Sequence, residues 1–251
     1  MARFFIESNQ VENGIITISG SDVRHIGKVL RLKAGDLVEV ADGTGNVYQA
    51  ELQSVSVNSA VFRVLTTQLS RSEPDVEAYL LQGLPKGEKF DFIIQKCTEI
   101  GIKKIIPVTT ERSIIKLTPE KGERRLKRWQ RIASEAAKQS GRGSVPEVYP
   151  VTKMGQAIEM LPPGTVIIMP WEGEREVSLK KVLTNVKPGC PVALVVGPEG
   201  GFAQEEVVSA QKAGAQVVSL GPRILRTETA GMVTLAIVLY EQGDLGGCQI
   251  G

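Results

Sequence analysis

Two glycine-rich loops hold the residues of this chain whose types and spacing are best suited to chemistry. The first loop is Gly-Pro-Glu-Gly-Gly at residues 197–201, and it follows the apolar run Val192 to Val196. The second loop covers residues 221–230 and follows the apolar run Val217 to Leu220. Because ligands bind outside the carboxyl ends of parallel strands, two such loops side by side predict the walls of one small-molecule pocket.

The second loop mixes charged and apolar side chains. Arg223, Arg226 and Glu228 lie beside Ile224 and Leu225. This combination is suited to holding a flat apolar ring while charged groups act nearby. A surface salt-bridge cluster is the alternative interpretation, and we rank it lower because the three charges coincide with two glycine-rich turns.

The first loop contains Gly197, Gly200 and Gly201. These glycines allow a sharp turn or a close approach of the backbone to a ligand, and they expose amide groups where a helix begins. Tight packing between strand and helix is the alternative. The loop matches neither G-x-G-x-x-G nor G-x-x-x-x-G-K-[ST], so binding of an ordinary dinucleotide or nucleoside triphosphate is disfavoured.

Alternating strands and helices must position these loops. The polar residues 71–75 suggest a domain boundary, with one domain at residues 1–72 and another at residues 73–251. In the second domain, alternation of apolar runs and amphipathic segments predicts a mainly parallel α/β sheet covered by helices on both faces. The predicted strands before the two loops are 78–81, 104–108 and 165–169, and the predicted helices are 89–100, 119–140, 178–185 and 229–242.

The last predicted helix is apolar nearly all round. Such a helix must be covered on more than one side. The sheet together with a second subunit could cover it, and so could burial within one chain.

Residues 3–69 follow a different pattern, in which short apolar runs are broken by turn signals. This pattern predicts a small all-β barrel with one helix between residues 21 and 32. The apolar face of that helix consists of Val23, Ile26, Val29 and Leu30. Arg24, Lys28 and Arg31 share another face, where a phosphate backbone could lie. A solvated basic face is the alternative.

A second basic surface is predicted on the long helix. Between residues 116 and 142, nine basic residues oppose three acidic ones. An apolar stripe containing Trp129 and Ala133 is predicted to be buried, so the basic side chains occupy the remaining faces. Runs of charge are usually solvated faces, but the presence of a second basic patch in the barrel region favours an RNA-binding surface.

The composition limits which classes of protein the chain can belong to. Thirty basic residues against twenty-eight acidic ones give a net charge of +2, so any affinity for nucleic acid must come from local clustering. Three scattered cysteines and one histidine make a disulfide framework or a metal site implausible. We find no signal peptide and no apolar run long enough to span a bilayer, so we expect a cytoplasmic protein without a membrane partner.

The two loops resemble those of the SPOUT-class methyltransferases, and within that class the family of ribosomal small-subunit RNA methyltransferases that modify N3 of a uridine in 16S rRNA. The carriers are residues 197–201 and 220–230, with supporting matches at 3–5, 29–31, 95–101 and 135–142. The resemblance implies a SPOUT-type parallel sheet with a carboxyl-terminal trefoil knot, preceded by a PUA-like β-barrel. It also implies a homodimer, S-adenosylmethionine as methyl donor, and 16S rRNA or the small ribosomal subunit as partner.

The resemblance also implies roles for individual residues. The expected donor-binding residues are Met169, Glu172, Gly197, Pro198, Glu199, Gly200, Gly201, Leu220, Gly221, Arg223, Ile224, Leu225 and Arg226. In catalysis, Arg226 is expected to stabilise negative charge on a uracil oxygen. Glu228 is expected to orient Arg226 or to accept the N3 proton, and Glu199 is the other candidate base.

RNA is expected to contact the two basic surfaces. The residues assigned to it are Arg3, Arg24, His25, Lys28, Arg31, Arg128, Arg131, Gln139 and Arg142. Two alternatives stay open: a SPOUT relative that methylates another base or a ribose 2′-hydroxyl, and an RNA-binding protein without turnover.

Overall fold

A computed structural model describes residues 2–112 and 118–247, in two compact units. One unit contains the residues up to 73 together with residues 137–145, and the other contains residues 74–136 and those from 146 onward. The division predicted after residue 72 stays a prediction. Lys116, which we counted in the second basic surface, lies outside the described residues.

The first unit is built on a six-stranded sheet in the order β1-β4-β5-β6-β3-β2, in which β1 pairs with β4 in parallel and the other pairs are antiparallel. The strands are β1 (Ala2–Phe5), β2 (Val11–Glu12), β3 (Ile15–Ser19), β4 (Leu37–Ala41), β5 (Asn46–Val55) and β6 (Ser59–Leu69). Alternate residues of β3 point inward, so Ile16 and Ile18 join Phe62 in a buried core.

The helix predicted in this unit is present but irregular. It starts as α1 (Ser21–Arg24) and continues as a π-helical turn over His25–Val29. Ile26 is buried as predicted, but Val29 and Leu30 are 64% and 39% exposed, so their assignment to the apolar face is wrong. The wider π turn changes the angular spacing after Ile26, and it therefore carries these two side chains away from the core.

The second unit is built on a seven-stranded sheet in which every pair is parallel. Its strands are β7 (Ala78–Gly83), β8 (Lys104–Thr109), β9 (Glu147–Val148), β10 (Thr152–Lys153), β11 (Val166–Pro170), β12 (Val192–Val196) and β13 (Gln216–Val218). The order is β10-β8-β7-β12-β11-β13, and β9 pairs with β8. The prediction of a parallel α/β sheet is confirmed.

Six helices accompany these strands in the described part of the chain, and none of them is long and apolar enough to cross a membrane. They are α2 (Lys89–Ile100), α3 (Pro119–Ser140), α4 (Met154–Glu159), α5 (Leu179–Leu183), α6 (Gln204–Lys212) and α7 (Thr227–Glu241). The first two have the predicted bounds. The six residues of α4 are too few for periodicity to reveal the helix, and it was not predicted.

The last helix starts two residues before the predicted start at Thr229. Arg226 is extended at the N-cap, with φ −65° and ψ 155°, and its carbonyl accepts hydrogen bonds from the amides of Thr229 and Ala230. Glu228 therefore lies in the first turn of α7, where its negative charge interacts favourably with the helix dipole. The helix packs on α2, β12 and β7.

Gly101, which ends α2, offers a test of the packing in this unit. Its φ is +126°, and a Cβ there would lie 2.6 Å from Cγ of Pro74. We expect Gly101→Ala to lower the free energy of unfolding by about 2 to 4 kcal/mol, because backbone strain adds to overpacking. Gly214→Ala is the control, since its φ is +92° but its Cβ would meet nothing within 4 Å. If urea unfolding showed the same decrease in the free energy of unfolding for both variants, overpacking against Pro74 would not be the cause.

Candidate active site

The loops after β7 and β12 meet because these strands are neighbours in the sheet. Gln82, fully buried near the end of β7, donates from Nε2 to the carbonyl oxygen of Gly197 at 3.3 Å and to Oγ1 of Thr227 at 3.0 Å. Oγ1 of Thr227 in turn donates to the same carbonyl at 2.6 Å. One buried network thus joins β7, the 197–201 loop and the start of α7.

The backbones of these segments also approach each other closely. A Cβ at Gly83 would lie 2.6 Å from Cδ of Pro198, so no larger residue fits there without a shift. Gly201 has φ +66° and closes a turn in which its amide donates to the carbonyl of Pro198 at 2.9 Å. The geometry of the 197–201 loop is therefore set by backbone packing and by hydrogen bonds.

Residues after β8 support the same loop. Nη1 of Arg112 donates to the carbonyl of Gly200 at 2.9 Å. The carboxylate of Glu206 accepts from the amide of Ala203 at 2.9 Å and from the amide of Glu111 at 2.8 Å. These residues carry no signal in the sequence for the site, because the order of strands β8, β7 and β12 cannot be read from the chain.

Three charged side chains converge beside the network. Nζ of Lys89, at the first residue of α2, lies 2.9 Å from Oε1 of Glu199 and 3.8 Å from Oε2 of Glu228. The amide of Lys86 donates to both carboxylate oxygens of Glu199 at 3.2 Å. The sequence did not identify Lys86 and Lys89 as site residues. The available signal was Gln82, a polar residue in the otherwise apolar run just before the loop that contains Lys86.

The surroundings of Glu199 favour its ionised form. Burial raises the pKa of the Glu199 carboxyl, but hydrogen bonds from Lys89 and from the amide of Lys86 lower it more, so that the pKa lies below its usual value. The hydrogen bond to Glu199 likewise raises the pKa of Lys89. A carboxylate held in this way is a weak proton acceptor, which argues against Glu199 as the general base.

Arg226 is the exposed residue just before α7. Among the described residues, its guanidinium forms no ion pair and no side-chain hydrogen bond. The carboxylate of Glu228 faces Lys89, at 3.8 Å, and a role for Glu228 in orienting Arg226 stays a prediction. The guanidinium of Arg226 is therefore available to an anionic group of a ligand.

The structure brings most of the predicted donor-binding residues to one end of the sheet. A Cβ on Gly201 would lie 2.7 Å from Oε1 of Glu172, so the turn after β11 borders the first loop. Met169 requires a correction. It lies fully buried in the core, paired with Val217 of β13, and leaves no surface for a ligand.

The second loop fits an adenosine moiety. Within the described part of the chain, the backbone amides of residues 223–226 donate no hydrogen bond, so they are free for a polar edge. Ile224 is 87% exposed and Leu225 is partly buried, which offers apolar surface to a flat ring. Gly221 has φ +109°, and a Cβ there would meet nothing within 4 Å. These features suit S-adenosylmethionine, whose adenine has both an apolar face and a hydrogen-bonding edge.

The residues assigned to RNA in the first unit fall into two groups. Arg24, His25, Lys28 and Arg31 are exposed, although Arg31 lies beyond the helix with φ +53°. The second group consists of two arginines, Arg3 and Arg142, whose side chains bind other groups of the protein.

Arg142 is the first of these two, and its assignment to RNA is corrected. It is only 4% exposed, and Nη2 lies 2.6 Å from the carboxylate of Glu73. Arg3 lies 3.2 Å from Glu39 and donates to the carbonyl of Arg142 at 2.9 Å. Because burial and ion pairing hold the Arg142 guanidinium inside the first unit, this side chain stabilises the fold and does not face RNA.

The long helix α3 presents a mixed surface. Arg131 and Gln139 are exposed, as an RNA contact requires. Arg128 is exposed as well, but it pairs with Glu88 at 3.1 Å and with Asp91, which neutralises part of its charge. Trp129 and Ala133 are buried as predicted.

In residues 2–112 and 118–247, no cluster of three or more histidine, cysteine or acidic residues could hold a metal ion.

A parallel sheet that gathers three βα loops and a charged cluster at one end defines a ligand-binding α/β domain. The family described as "RNA methyltransferase domain" matches residues 72–239, and the family described as "RNA methyltransferase PUA domain" matches residues 18–65. The chain belongs to the RNA methyltransferase family. The resemblance drawn from the two loops, including the PUA-like domain, is confirmed.

Relatives and solved structures agree with this membership. A protein of Bacillus subtilis named Ribosomal RNA small subunit methyltransferase E is 35% identical over 256 residues, which cover 99% of this chain and all of the relative. A Synechocystis protein of the same name is 35% identical over 235 residues, 93% of this chain and 76% of the relative. The crystal structure of a Ribosomal RNA small subunit methyltransferase E from Neisseria gonorrhoeae bound to S-adenosyl methionine is similar, with TM-score 0.84, 31% identity, and coverage of 98% and 99%.

The buried network predicts a specific role for the hydroxyl of Thr227. Thr227→Val keeps the shape of the side chain but loses the hydrogen bonds to Gly197 and Gln82. We therefore expect the free energy of unfolding to fall by about 1 to 3 kcal/mol. Thr227→Ser keeps the hydroxyl and serves as the matched control. Chemical denaturation of the three proteins checks this, and a valine variant as stable as wild type would show that the network does not stabilise the fold.

Proposed function

We propose that this protein is an S-adenosylmethionine-dependent methyltransferase that methylates N3 of a specific uridine in 16S rRNA of the small ribosomal subunit. The observation that carries this proposal is the exposed guanidinium of Arg226, which forms no ion pair within the described residues and stands at the end of the second glycine-rich loop, immediately before α7. The relatives named as small-subunit rRNA methyltransferases support the class of substrate.

The donor would be held by the loops at residues 197–201 and 220–226, together with the turn at Glu172. The free backbone groups of residues 223–226 would bind the adenine edge, and Leu225 would pack against its ring. When bound, S-adenosylmethionine supplies an electrophilic methyl group on a sulfonium, which leaves as a neutral thioether. The protein therefore needs to align the nucleophile more than to assist departure.

Uridine N3 carries a proton that must be lost when the N3–methyl bond forms. We assign acceptance of this proton to Glu228, whose carboxylate has fewer hydrogen bonds than that of Glu199. Arg226 would stabilise the negative charge that develops on a uracil oxygen as the proton leaves. Because N3 lies on the pairing edge, a paired target base must leave its stack before it can react.

RNA flanking the target would lie on the exposed basic residues of both units. In the first unit these are Arg24, His25, Lys28 and Arg31, and on α3 they include Arg131 with the polar Gln139. Such phosphate contacts position RNA without reading its sequence. A protein that acts on ribosomal RNA would work in the cytoplasm.

We also infer a homodimer in which α7 contributes to the interface. Ile237 and Tyr240 of this helix are exposed, as is Phe92 of the adjacent α2. Exposed apolar side chains on neighbouring helices favour an interface between two copies.

We infer a trefoil knot in the carboxyl-terminal part of the chain. After β13, at the outer edge next to β11, the chain returns to place α7 against β12 and β7. This return across the sheet is the course that a knotted carboxyl end requires.

The substrate is tested by mass spectrometry of small-subunit rRNA from cells with and without the gene. We expect the deletion strain to lack one methyl group, located on N3 of a uridine, and the purified protein to restore it with S-adenosylmethionine. A missing methyl on a ribose or on another base would overturn the assignment to N3. A protein with no affinity for the donor in calorimetry would instead be an RNA-binding protein without turnover.

Arg226 is expected to act in the chemical step. Arg226→Ala should lower kcat by about 100-fold or more, because a charge-stabilising group at the reacting base is lost. Arg226→Lys keeps a charge but not the planar guanidinium, and it should recover only part of the rate. Single-turnover rates and the donor Kd are the measurements, and near-wild-type turnover in the alanine variant would refute the assignment.

The two candidate bases are distinguished by a matched pair of variants. Glu228→Gln should lower kcat by about 100-fold or more, since proton transfer to a positioned base contributes roughly this factor. Glu199→Gln keeps an oxygen for the hydrogen bonds from Lys86 and Lys89, and we expect most of the activity to remain. The reverse order of activities would identify Glu199 as the base.

A further inference from the structure

Lys89 connects the two loops through their carboxylates. It stands at the start of α2, and its ammonium lies 2.9 Å from Glu199 and 3.8 Å from Glu228. Neither glutamate comes from the element that carries the lysine, since Glu199 belongs to the loop after β12 and Glu228 to the first turn of α7. One cation at the start of α2 therefore contacts a carboxylate from each of two other elements.

The two carboxylates depend on this cation to different degrees. Glu199 also receives the amide of Lys86 on both oxygens, so its position has a second support. Oε2 of Glu228 is buried and accepts no hydrogen bond within the described residues, and its side chain is only 17% exposed. Among the described residues, Oε2 of Glu228 therefore has the ion pair with Lys89 as its only support, whereas the Glu199 carboxylate keeps the amide of Lys86 as a second one.

We propose that Lys89 is a positioning residue that holds the Glu228 carboxylate toward the reacting base, while Glu199 serves as the second anchor of the ammonium. This inference rests on the proposed function, because it concerns the group to which we assign the N3 proton. Without the cation, the Glu228 side chain would turn toward water, where its two oxygens would regain hydrogen bonds. Lys89 would thus affect methyl transfer without touching the donor or the uracil.

A double-mutant cycle tests whether Lys89 acts through Glu228. Methyl transfer from a tritiated donor to small-subunit RNA would be measured in single turnover for Lys89→Met, Lys89→Arg and combinations with Glu228→Gln or Glu199→Gln. We expect Lys89→Met to slow transfer about tenfold or more, and Lys89→Arg to stay within about threefold of wild type. Adding Lys89→Met to Glu228→Gln should cost less than about twofold, whereas adding it to Glu199→Gln should cost the full factor.

Two results of this cycle would overturn the proposal. If Lys89→Met slowed the Glu228→Gln variant as much as it slows wild type, the lysine would act independently of Glu228. If it weakened binding of S-adenosylmethionine in calorimetry by the same factor as turnover, it would support the donor loop instead. Thermal unfolding is the control for folding, and Lys89→Arg keeps the test decisive if the methionine variant is unstable.

A readout without turnover separates this proposal from the proposed function. A crystal structure of ligand-free Lys89→Met is expected to show the Glu228 carboxylate displaced and Glu199 still bound to the amide of Lys86. An unmoved Glu228 would overturn the positioning role even if the enzyme is active. Wild-type protein that left small-subunit RNA unmethylated would instead overturn the proposed function, whatever the position of Glu228.

Discussion

The buried hydrogen bonds among Gln82, Thr227 and the carbonyl of Gly197 are the constraint on which the candidate site depends. They occur where two adjacent strands end and where α7 begins, so they fix three backbone segments relative to one another. A buried polar group that loses its partner costs more than a hydrogen bond contributes on the surface. This network therefore acts as a rigid base, and the exposed ends of the loops are positioned by it.

Much of the second unit could be predicted because its patterns are long or strongly apolar. β12, α2 and α3 have the predicted bounds, since each combines a clear hydrophobic period with an evident end, such as Gly101 after α2. Short elements such as α4 offered no period to detect. The π turn in the first unit was also invisible, because the spacing of Val23, Ile26, Val29 and Leu30 fits an ordinary helix. Local backbone irregularity changes which side chains are buried, and the sequence pattern does not record it.

The candidate site was predictable only as far as the loops themselves. Glycines and charges identified residues 197–201 and 221–230, but the order of strands decides what lies beside them. Gln82 at the end of β7 and Lys89 at the start of α2 lie about one hundred residues earlier in the chain, and β7 meets β12 only in the folded sheet. Similarly, Arg142 has the same charge in sequence as Arg131, yet burial next to Glu73 gives it a structural role. The role of each of these residues is set by its neighbours in the folded protein, and the residue type alone does not predict it.

The tight start of α7 contrasts with the tip of the loop before it. Gly231 lies close enough that a Cβ would come within 3.5 Å of Oε1 of Gln82, whereas the amides of residues 223–226 have no partner in the described structure. Over evolutionary time, insertions or bulky replacements between residues 227 and 231 would disturb the shared base of both loops. Changes at residues 222–225 would alter only what the loop touches. Divergence in ligand or substrate preference can therefore accumulate in this short tip, while packing against Gln82 restricts substitutions at the start of the helix that follows it.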